Sequence, residues 1–161
     1  MIIRLLPLAG LVLLLGACAS QPKPLQGAYL ELTPHDAAQG DRTGTPVRWG
    51  GRIVQVEPRP DATCFEMIAT RLTVTGRPYW ASDDTNGRFI ACRAGFYDPA
   101  VFEKNREVTF TGRIAGYDNR RIGEYDYRFP RVDADVVYLW PVREQVDVIT
   151  RPAPWPWWGY W

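Results

Sequence analysis

The amino-acid sequence predicts an all-β protein built as one small, closed antiparallel barrel. After the apolar start of the chain, leucine is scarce, whereas the strand-favouring residues valine, threonine, tyrosine and phenylalanine are common. Glycine and proline, 14 of each, divide the chain into short segments of the kind that turns connect. Five of these segments have the length and the apolar pattern of β-strands.

The first three predicted strands cover residues 47–57, 64–74 and 88–93. Within the first of them, the apolar phase slips near Gly50 and Gly51. Glycine inside a strand pattern is typical of a bulge or of a sharp bend, so we expect the strand to bend there.

The fourth and fifth strands have the clearest alternation of apolar and polar residues, which is the pattern of a half-buried strand. One face of the fourth strand holds Val108, Phe110 and Ile114. Residues 117–127 are expected to form a loop or a hairpin. In the fifth strand Asp133 and Asp135 lie opposite an apolar face, which holds Val132, Ala134, Val136, Tyr138 and Trp140.

A one-turn helix is expected between the third and fourth strands. Asp98 and Pro99 stand in the order of a helix N-cap and a first helical residue. Five strands with a helix in this place have the order of an OB-fold barrel, whose closure hides the sheet edges. Gly50-Gly51 and Gly112 match the bends expected at its corners. A β-sandwich is the alternative.

The beginning of the chain has the pattern of a secretory signal peptide. Arg4 precedes an apolar stretch at residues 5–15, which is shorter than the ~20 residues that a membrane-spanning helix needs. The next residues, Leu15-Gly16-Ala17-Cys18, resemble the lipobox of bacterial lipoproteins. The alternative is an ordinary signal peptide followed by an unrelated cysteine.

The lipobox resemblance implies a lipid anchor. In such proteins residues 1–17 would be removed, the sulfur of Cys18 would carry a diacylglycerol, and the new amine would be acylated. No cofactor other than these covalent lipids is expected. Ala19 stands where an aspartate would favour retention in the inner membrane, so the resemblance implies the outer membrane, with the domain facing the periplasm.

The mature chain is predicted to have three parts. Residues 18–46 form the lipidated N-terminus and a flexible tether, because prolines disfavour a helix at 21–24 and no apolar period follows at 33–46. Residues 47–141 form the barrel domain. Residues 142–161 form a proline- and tryptophan-rich tail.

The tail is a candidate interface. Prolines favour an extended path, and tryptophan is enriched at membrane surfaces and in partner grooves. A tail that folds back over the barrel is the alternative. The tryptophans in question are Trp155, Trp157, Trp158 and Trp161.

Charge and cysteine content restrict the function. Without Arg4 the mature chain has 18 basic and 18 acidic residues, and this balance argues against a nucleic-acid partner. Cys64 and Cys92 would lie in an oxidising compartment, which favours a disulfide between them. Two free thiols or a metal site are the alternatives. The metal site is disfavoured, because no C-x-x-C spacing exists and His35 is the only histidine.

Several short motifs, in the same order, resemble the Slp family of starvation-inducible outer-membrane lipoproteins. The resemblance covers roughly residues 18–141 and implies outer-membrane attachment, a link to starvation or stationary phase, and no enzymatic chemistry. The motifs are VRWGGRIV at 47–54, GRFIA at 87–91, GFYDP at 95–99, VTFTG at 108–112, IGEYDYRFP at 122–130 and LWP at 139–141.

The sequence offers no catalytic set. A hydrolytic triad would have to combine His35 with Ser82, both in predicted loops. Asp83 and Asp84 are expected in a solvated turn, and the aspartates of the fifth strand are expected on a solvent face paired with arginines. A calcium loop at 82–87 is disfavoured, because an arginine stands where the glutamate ligand belongs.

Strand arginines near aromatic residues suggest a ligand face, since OB folds bind oligonucleotides or sugars on such faces. This face would comprise Trp49, Arg52, Arg113 and Tyr117. Arginine–aspartate pairs that cover the barrel are the alternative. We therefore expect a non-catalytic structural or interaction protein of the envelope, with a protein or glycan partner. A periplasmic module that binds a sugar, a peptide or a small envelope ligand is the alternative.

Overall fold

The computed structural model describes residues 20–81 and 83–143. Cys18, Ser82 and the four tryptophans of the tail lie outside the described residues. The five strands are β1 (Pro46–Pro58), β2 (Ala62–Thr70), β3 (Arg88–Ala94), β4 (Glu107–Ile122) and β5 (Tyr125–Leu139). No helix in the described ranges is long and apolar enough to cross a membrane.

The strands close into a barrel in the order β1-β2-β3-β5-β4, so that β4 pairs with β1. This order confirms the predicted OB-fold-like barrel. Every neighbouring pair is antiparallel except β3 and β5, which run parallel around Ala91 and Val132. A long β4–β5 hairpin extends beyond the barrel, where the sequence predicted a loop or a hairpin.

Aromatic side chains fill the barrel interior. Phe65, Phe89 and Phe110 are at most 1% exposed, and their ring centroids lie 5.4 to 5.9 Å apart along the chain of contacts. Such tilted and edge-to-face contacts stabilise aromatic pairs beyond the burial of their area. The predicted apolar face of the fourth strand is confirmed, since Val108 and Ile114 belong to the same core.

The phase slip in β1 has a different origin from the predicted one. The bulge lies at Val54 and not at one of the two glycines. Ile53 pairs with Met67 and Gln55 pairs with Glu66, so Val54 has no partner in β2. Gly50 and Gly51 instead lie where β1 pairs with β2 on one side and with β4 on the other. The glycines allow these backbones to approach closely at the point of closure.

The predicted apolar face of β5 is wrong at Val136 and Tyr138, although Trp140 is buried as predicted. Asp135 is an extra residue opposite the Thr111–Gly112 step, and a one-residue insertion sends the following side chains to the other face. Val137 and Leu139 therefore pack on the core in place of Val136 and Tyr138.

The predicted helix between the third and fourth strands is also wrong. Residues 98–102 form a single turn, in which the N–H groups of Val101 and Phe102 both donate to the carbonyl of Asp98. The Asp98 carboxylate accepts from the N–H of Ala100 at 2.9 Å. The local signal was therefore sound, but the turn is not continued into a helix.

The short helical pieces lie instead in residues 20–46, where a tether and loops were predicted. A 3-10 turn covers Lys23–Leu25, and α1 covers Pro34–Ala38 with Thr33 as its N-cap. Proline is tolerated in a first helical turn, where its missing N–H would have no partner. Leu25 and Ala37 are fully buried, so packing on the barrel holds both pieces in place.

Candidate functional site

The candidate site is the surface of the barrel on which residues 20–46, here called the lead-in, are bound. Arg48 of β1 holds its beginning, since its Nη1 donates to Oε1 of Gln21 at 3.0 Å and to the carbonyl of Leu25 at 3.1 Å. The ring of Tyr29 lies 5.2 Å from the same guanidinium. Arginine provides several donors in a fixed plane, so one side chain can hold a side-chain oxygen and a backbone carbonyl at two positions of the lead-in.

The middle of the lead-in is held by aromatic side chains. The indole N–H of Trp49 donates to the carbonyl of Leu32. The hydroxyl of Tyr117 accepts from the N–H of Arg42 at 2.6 Å. Trp49 is 5% exposed, so its ring belongs to the core and only its polar edge serves the lead-in.

Two further arginines hold the end of the lead-in. Arg128 stacks 3.6 Å above the ring centroid of Tyr117 and donates to the carbonyls of Ala38 at 2.7 Å and Gly40 at 3.0 Å. Arg113 donates to the carbonyl of Gly44 at 2.9 Å. Each of these bonds gives a polar partner to backbone that has left the sheet.

Three members of the predicted ligand face are thus occupied by the chain itself. Trp49, Arg113 and Tyr117 contact the lead-in, whereas Arg52 lies elsewhere, with its guanidinium 4.3 Å from the ring of Trp80. The four residues do not form one surface. The sequence contained one signal for this result, the three apolar residues Tyr29, Leu30 and Leu32 near the start of an otherwise polar segment.

The alternative of arginine–aspartate pairs holds for part of the barrel, since Arg131 meets the carboxylate of Asp118 at 2.9 Å and Arg120 meets it at 3.6 Å. Arg88 meets the carboxylate of Glu66 at 2.8 Å, but Arg93 donates to the carbonyl of Ala134. Asp133 and Asp135 are exposed, and neither forms an ion pair within the described residues. Backbone carbonyls, which a sequence pattern does not mark as partners, accept from Arg48, Arg93, Arg113 and Arg128.

Arg48, Arg113 and Arg128, which hold the lead-in, are called the arginine seat below, and replacement of Arg48 by methionine tests it. Methionine keeps much of the side-chain volume but loses both hydrogen bonds, each worth about 1.5 to 3 kcal/mol for a charged donor. We expect amide hydrogen exchange at Leu25, whose N–H donates to Pro22, to become at least tenfold faster, while exchange in the barrel stays unchanged. Arg121→Met, on the exposed hairpin, is the control. Equal rates of amide hydrogen exchange at Leu25 in the two variants would show that Arg48 does not hold the lead-in.

Cys64 and Cys92 form a disulfide, as predicted, between directly opposed residues of β2 and β3. Their Cα atoms are 4.0 Å apart. The bond lies on the outside of the barrel beneath the hairpin, against Ile90 and Phe129. It closes a loop of the chain that includes residues 71–80, which are part of the connection between the two strands.

A groove of about 790 Å³ runs beside the lead-in. Its walls are residues 27–34 on one side and residues 69–74 on the other, with Trp49 and Arg48 at its base. Arg52, Arg113 and Tyr117 do not line it, so it differs from the predicted ligand face.

Groups suited to catalysis are dispersed. His35 is exposed in the first turn of α1, and Ser82 lies outside the described residues. Asp83 and Asp84 are exposed, as predicted for a solvated turn. Within residues 20–81 and 83–143, no three histidine, cysteine or acidic residues come together as metal ligands.

One carboxylate near the seat has a shifted pKa. The backbone N–H and then the hydroxyl of Thr43 donate to the Asp41 side chain, and these bonds lower its pKa. The carboxylate is therefore charged at neutral pH and caps the turn that leads to Gly44.

Comparison with known proteins decides the family. Residues 15–161 match the outer membrane lipoprotein Slp family. The chain belongs to the Slp family. The match runs through the tail to residue 161, so the predicted limit of the resemblance at 141 was too short.

Curated relatives of this Slp-family chain cover most of its length. An uncharacterized protein of Haemophilus influenzae is 29% identical over 84% of the chain and 75% of the relative. In Escherichia coli, the uncharacterized lipoprotein YeaY is 28% identical over 89% and 76%, and the outer membrane protein Slp is 27% identical over 83% and 73%. No solved structure gives a significant match. The family places this Slp-family protein at the outer membrane.

Proposed function

We propose that the protein is anchored through lipids on Cys18 and acts as a non-catalytic structural or interaction protein on the periplasmic side of the outer membrane. The arginine seat carries this proposal. Because Arg48 holds Gln21, only residues 19 and 20 separate the lipidated cysteine from the folded body. The three steps along the chain from residue 18 to Gln21 span at most about 10 Å, so the barrel would stand directly at the bilayer surface.

This geometry changes the role of residues 20–46. A free tether would let the domain reach a partner at a distance, whereas a bound lead-in fixes its height above the membrane. A domain at a fixed height is suited to contacts made at the membrane surface. Three acyl chains would make the attachment effectively permanent, since stable anchoring takes more than one chain.

Family membership supports a role in starvation or stationary phase, which the resemblance implies for Slp-like lipoproteins. The use of the strand side chains supports a non-catalytic role. Arginines and aromatic residues that could have formed a ligand face are engaged in holding the lead-in. The alternative, a binding module for a sugar, a peptide or a small envelope ligand, would now have to use the groove beside residues 27–34.

Replacement of Cys18 by serine tests the anchor. We expect complete loss of radioactive palmitate incorporation and of outer-membrane retention, because a hydroxyl cannot replace the thiolate as the acceptor. The double variant Cys64→Ala/Cys92→Ala is the control and should keep the label. Palmitate on Cys18→Ser would refute the anchor. Ala19→Asp should in turn move the labelled protein to the inner membrane.

A further inference from the structure

The end of the barrel where β4 begins and β5 ends is strongly basic. A depression of about 370 Å³ there is lined by four arginines, Arg52, Arg77, Arg106 and Arg143. Glu107 is the only acidic residue among its lining residues. This depression and its arginines are called the basic end below.

The single carboxylate is shared and does not neutralise the basic end. Arg77 Nε lies 2.6 Å and Arg143 Nη2 lies 3.5 Å from the two oxygens of Glu107. Arg106 donates to the backbone carbonyls of Val101 and Trp140. Arg52 stacks on Trp80, and neither it nor Arg106 meets a carboxylate within the described residues. A surplus of positive charge therefore faces solvent.

Contacts connect the basic end to the start of the lead-in. Gly76 packs so closely on Gln21 that an added Cβ would lie 2.9 Å from its Nε2. The carbonyl of Gly76 accepts from the hydroxyl of Thr109 at 2.7 Å, and that hydroxyl accepts from the indole of Trp140 at 2.9 Å. Gln21, which is close to the anchor in the chain, and the basic end thus lie on the same side of the barrel.

The loop at residues 71–80 also presents an apolar tip on this side. Val74 is 89% exposed and is flanked by Arg71, whose guanidinium lies 4.1 Å from the ring of Tyr79. An exposed apolar residue among arginines is suited to a membrane surface, where the side chain enters the headgroup layer and the charges remain at the phosphates.

We propose that the basic end and the tip at Val74 dock on the membrane that carries the lipid anchor, with the arginines bound to phosphate groups of anionic phospholipids. Guanidinium groups match phosphate oxygens through paired donors. This inference rests on the proposed lipidation of Cys18, which brings the same side of the barrel to within about 10 Å of the bilayer. The lipid anchor and the arginines would together set one orientation of the domain.

The opposite end has no comparable surplus of positive charge, although Tyr125 there is 69% exposed. At the tip of the β4–β5 hairpin, Arg121 lies 2.7 Å from Glu124 and 3.8 Å from Asp126, and Arg120 lies 3.6 Å from Asp118, so acidic groups balance the arginines. Residues 107 and 121 are separated by about 45 Å of strand at 3.3 Å per residue. The hairpin would therefore point away from the membrane.

Site-directed fluorescence labelling tests the orientation. Cys18 carries lipid and Cys64 is bonded to Cys92, so a cysteine introduced by Val74→Cys or by Glu124→Cys is the only thiol available for a label. The lipidated full chain is reconstituted in phosphatidylcholine vesicles with or without phosphatidylglycerol, and headgroup nitroxide lipids serve as quenchers. We expect several-fold stronger quenching at position 74 than at 124, and a clear increase at position 74 with phosphatidylglycerol.

Charge variants separate docking from mere proximity to the anchor. In the Val74→Cys chain, Arg52→Gln and Arg143→Gln should each weaken the docked state about fivefold, the effect of one arginine near an anionic surface. Arg121→Gln should change nothing. Equal quenching at positions 74 and 124, or no response to phosphatidylglycerol, would overturn the proposal. Suppression of docking by inorganic phosphate at low concentration would point to a free-phosphate site and would also overturn it. A failed anchor is recognised separately, because the protein would not float with the vesicles.

Discussion

Gly51→Ala is expected to destabilise the barrel by about 3 kcal/mol or more, the upper range for overpacking in a tight core. A Cβ at this position would overlap the carbonyl oxygen of Ile68 in β2 and would also crowd the backbone of Ala69. Backbone atoms of a paired strand cannot rotate aside as a side chain can. The β1–β2 ladder would have to separate at the point where β1 also pairs with β4.

The measurement is the free energy of unfolding from urea denaturation of the mature chain. Gly40→Ala is the matched control, since no atom lies within 4 Å of a Cβ placed there and its backbone is not in the left-handed region. It should leave stability unchanged within about 0.5 kcal/mol, as for most surface substitutions. Equal stability of Gly51→Ala and Gly40→Ala would show that the barrel closure tolerates a side chain at position 51. The close approach of the backbones would then not require glycine there.

Removal of the disulfide by Cys64→Ala/Cys92→Ala is expected to lower the free energy of unfolding by about 3.5 kcal/mol. This value follows from the chain-entropy treatment for a closed loop of about 29 residues. The loop contains residues 71–80, so the bond also restricts the segment that forms the apolar tip of the proposed docking surface.

The disulfide prediction has an internal control in the reductant. Dithiothreitol should destabilise the wild-type chain by the same amount and should have no effect on the double variant. Thiol labelling under denaturing, non-reducing conditions should find no free cysteine in the protein taken from cells. Labelling of Cys64 and Cys92 would contradict the proposed stabilisation. So would a midpoint of urea denaturation that changes neither with the reductant nor with the substitutions.

The local alternation of residues was sufficient to predict that five strands exist and which side of the fourth strand is buried. Alternation of apolar and polar residues reports which side of a strand is buried, so the core positions Val108, Phe110 and Ile114 follow from the sequence. The number and order of the strands then restrict the topology to few choices, and the closed barrel is among them. The oxidising compartment implied by the signal peptide favoured the cysteine pair.

Local pattern failed where one residue shifts the register. Nothing in the composition of β5 distinguishes Asp135 from its neighbours, yet it is the bulged residue, and the face of Val137 and Leu139 depends on it. The bulge lies opposite Gly112, where a Cβ would overlap the carbonyl oxygen of Asp133, so it depends on how the two strands approach each other.

The sequence by itself determined the β class, the OB-like strand order, the candidate anchor cysteine and the pairing of Cys64 with Cys92. Only the tertiary structure decided what the arginines do. Arginine finds its partners across the fold, and backbone carbonyls of the lead-in took Arg48, Arg113 and Arg128. Side-chain identity states which bonds a residue can donate, whereas the neighbours that accept them are set by the closed barrel and by the segment packed on it.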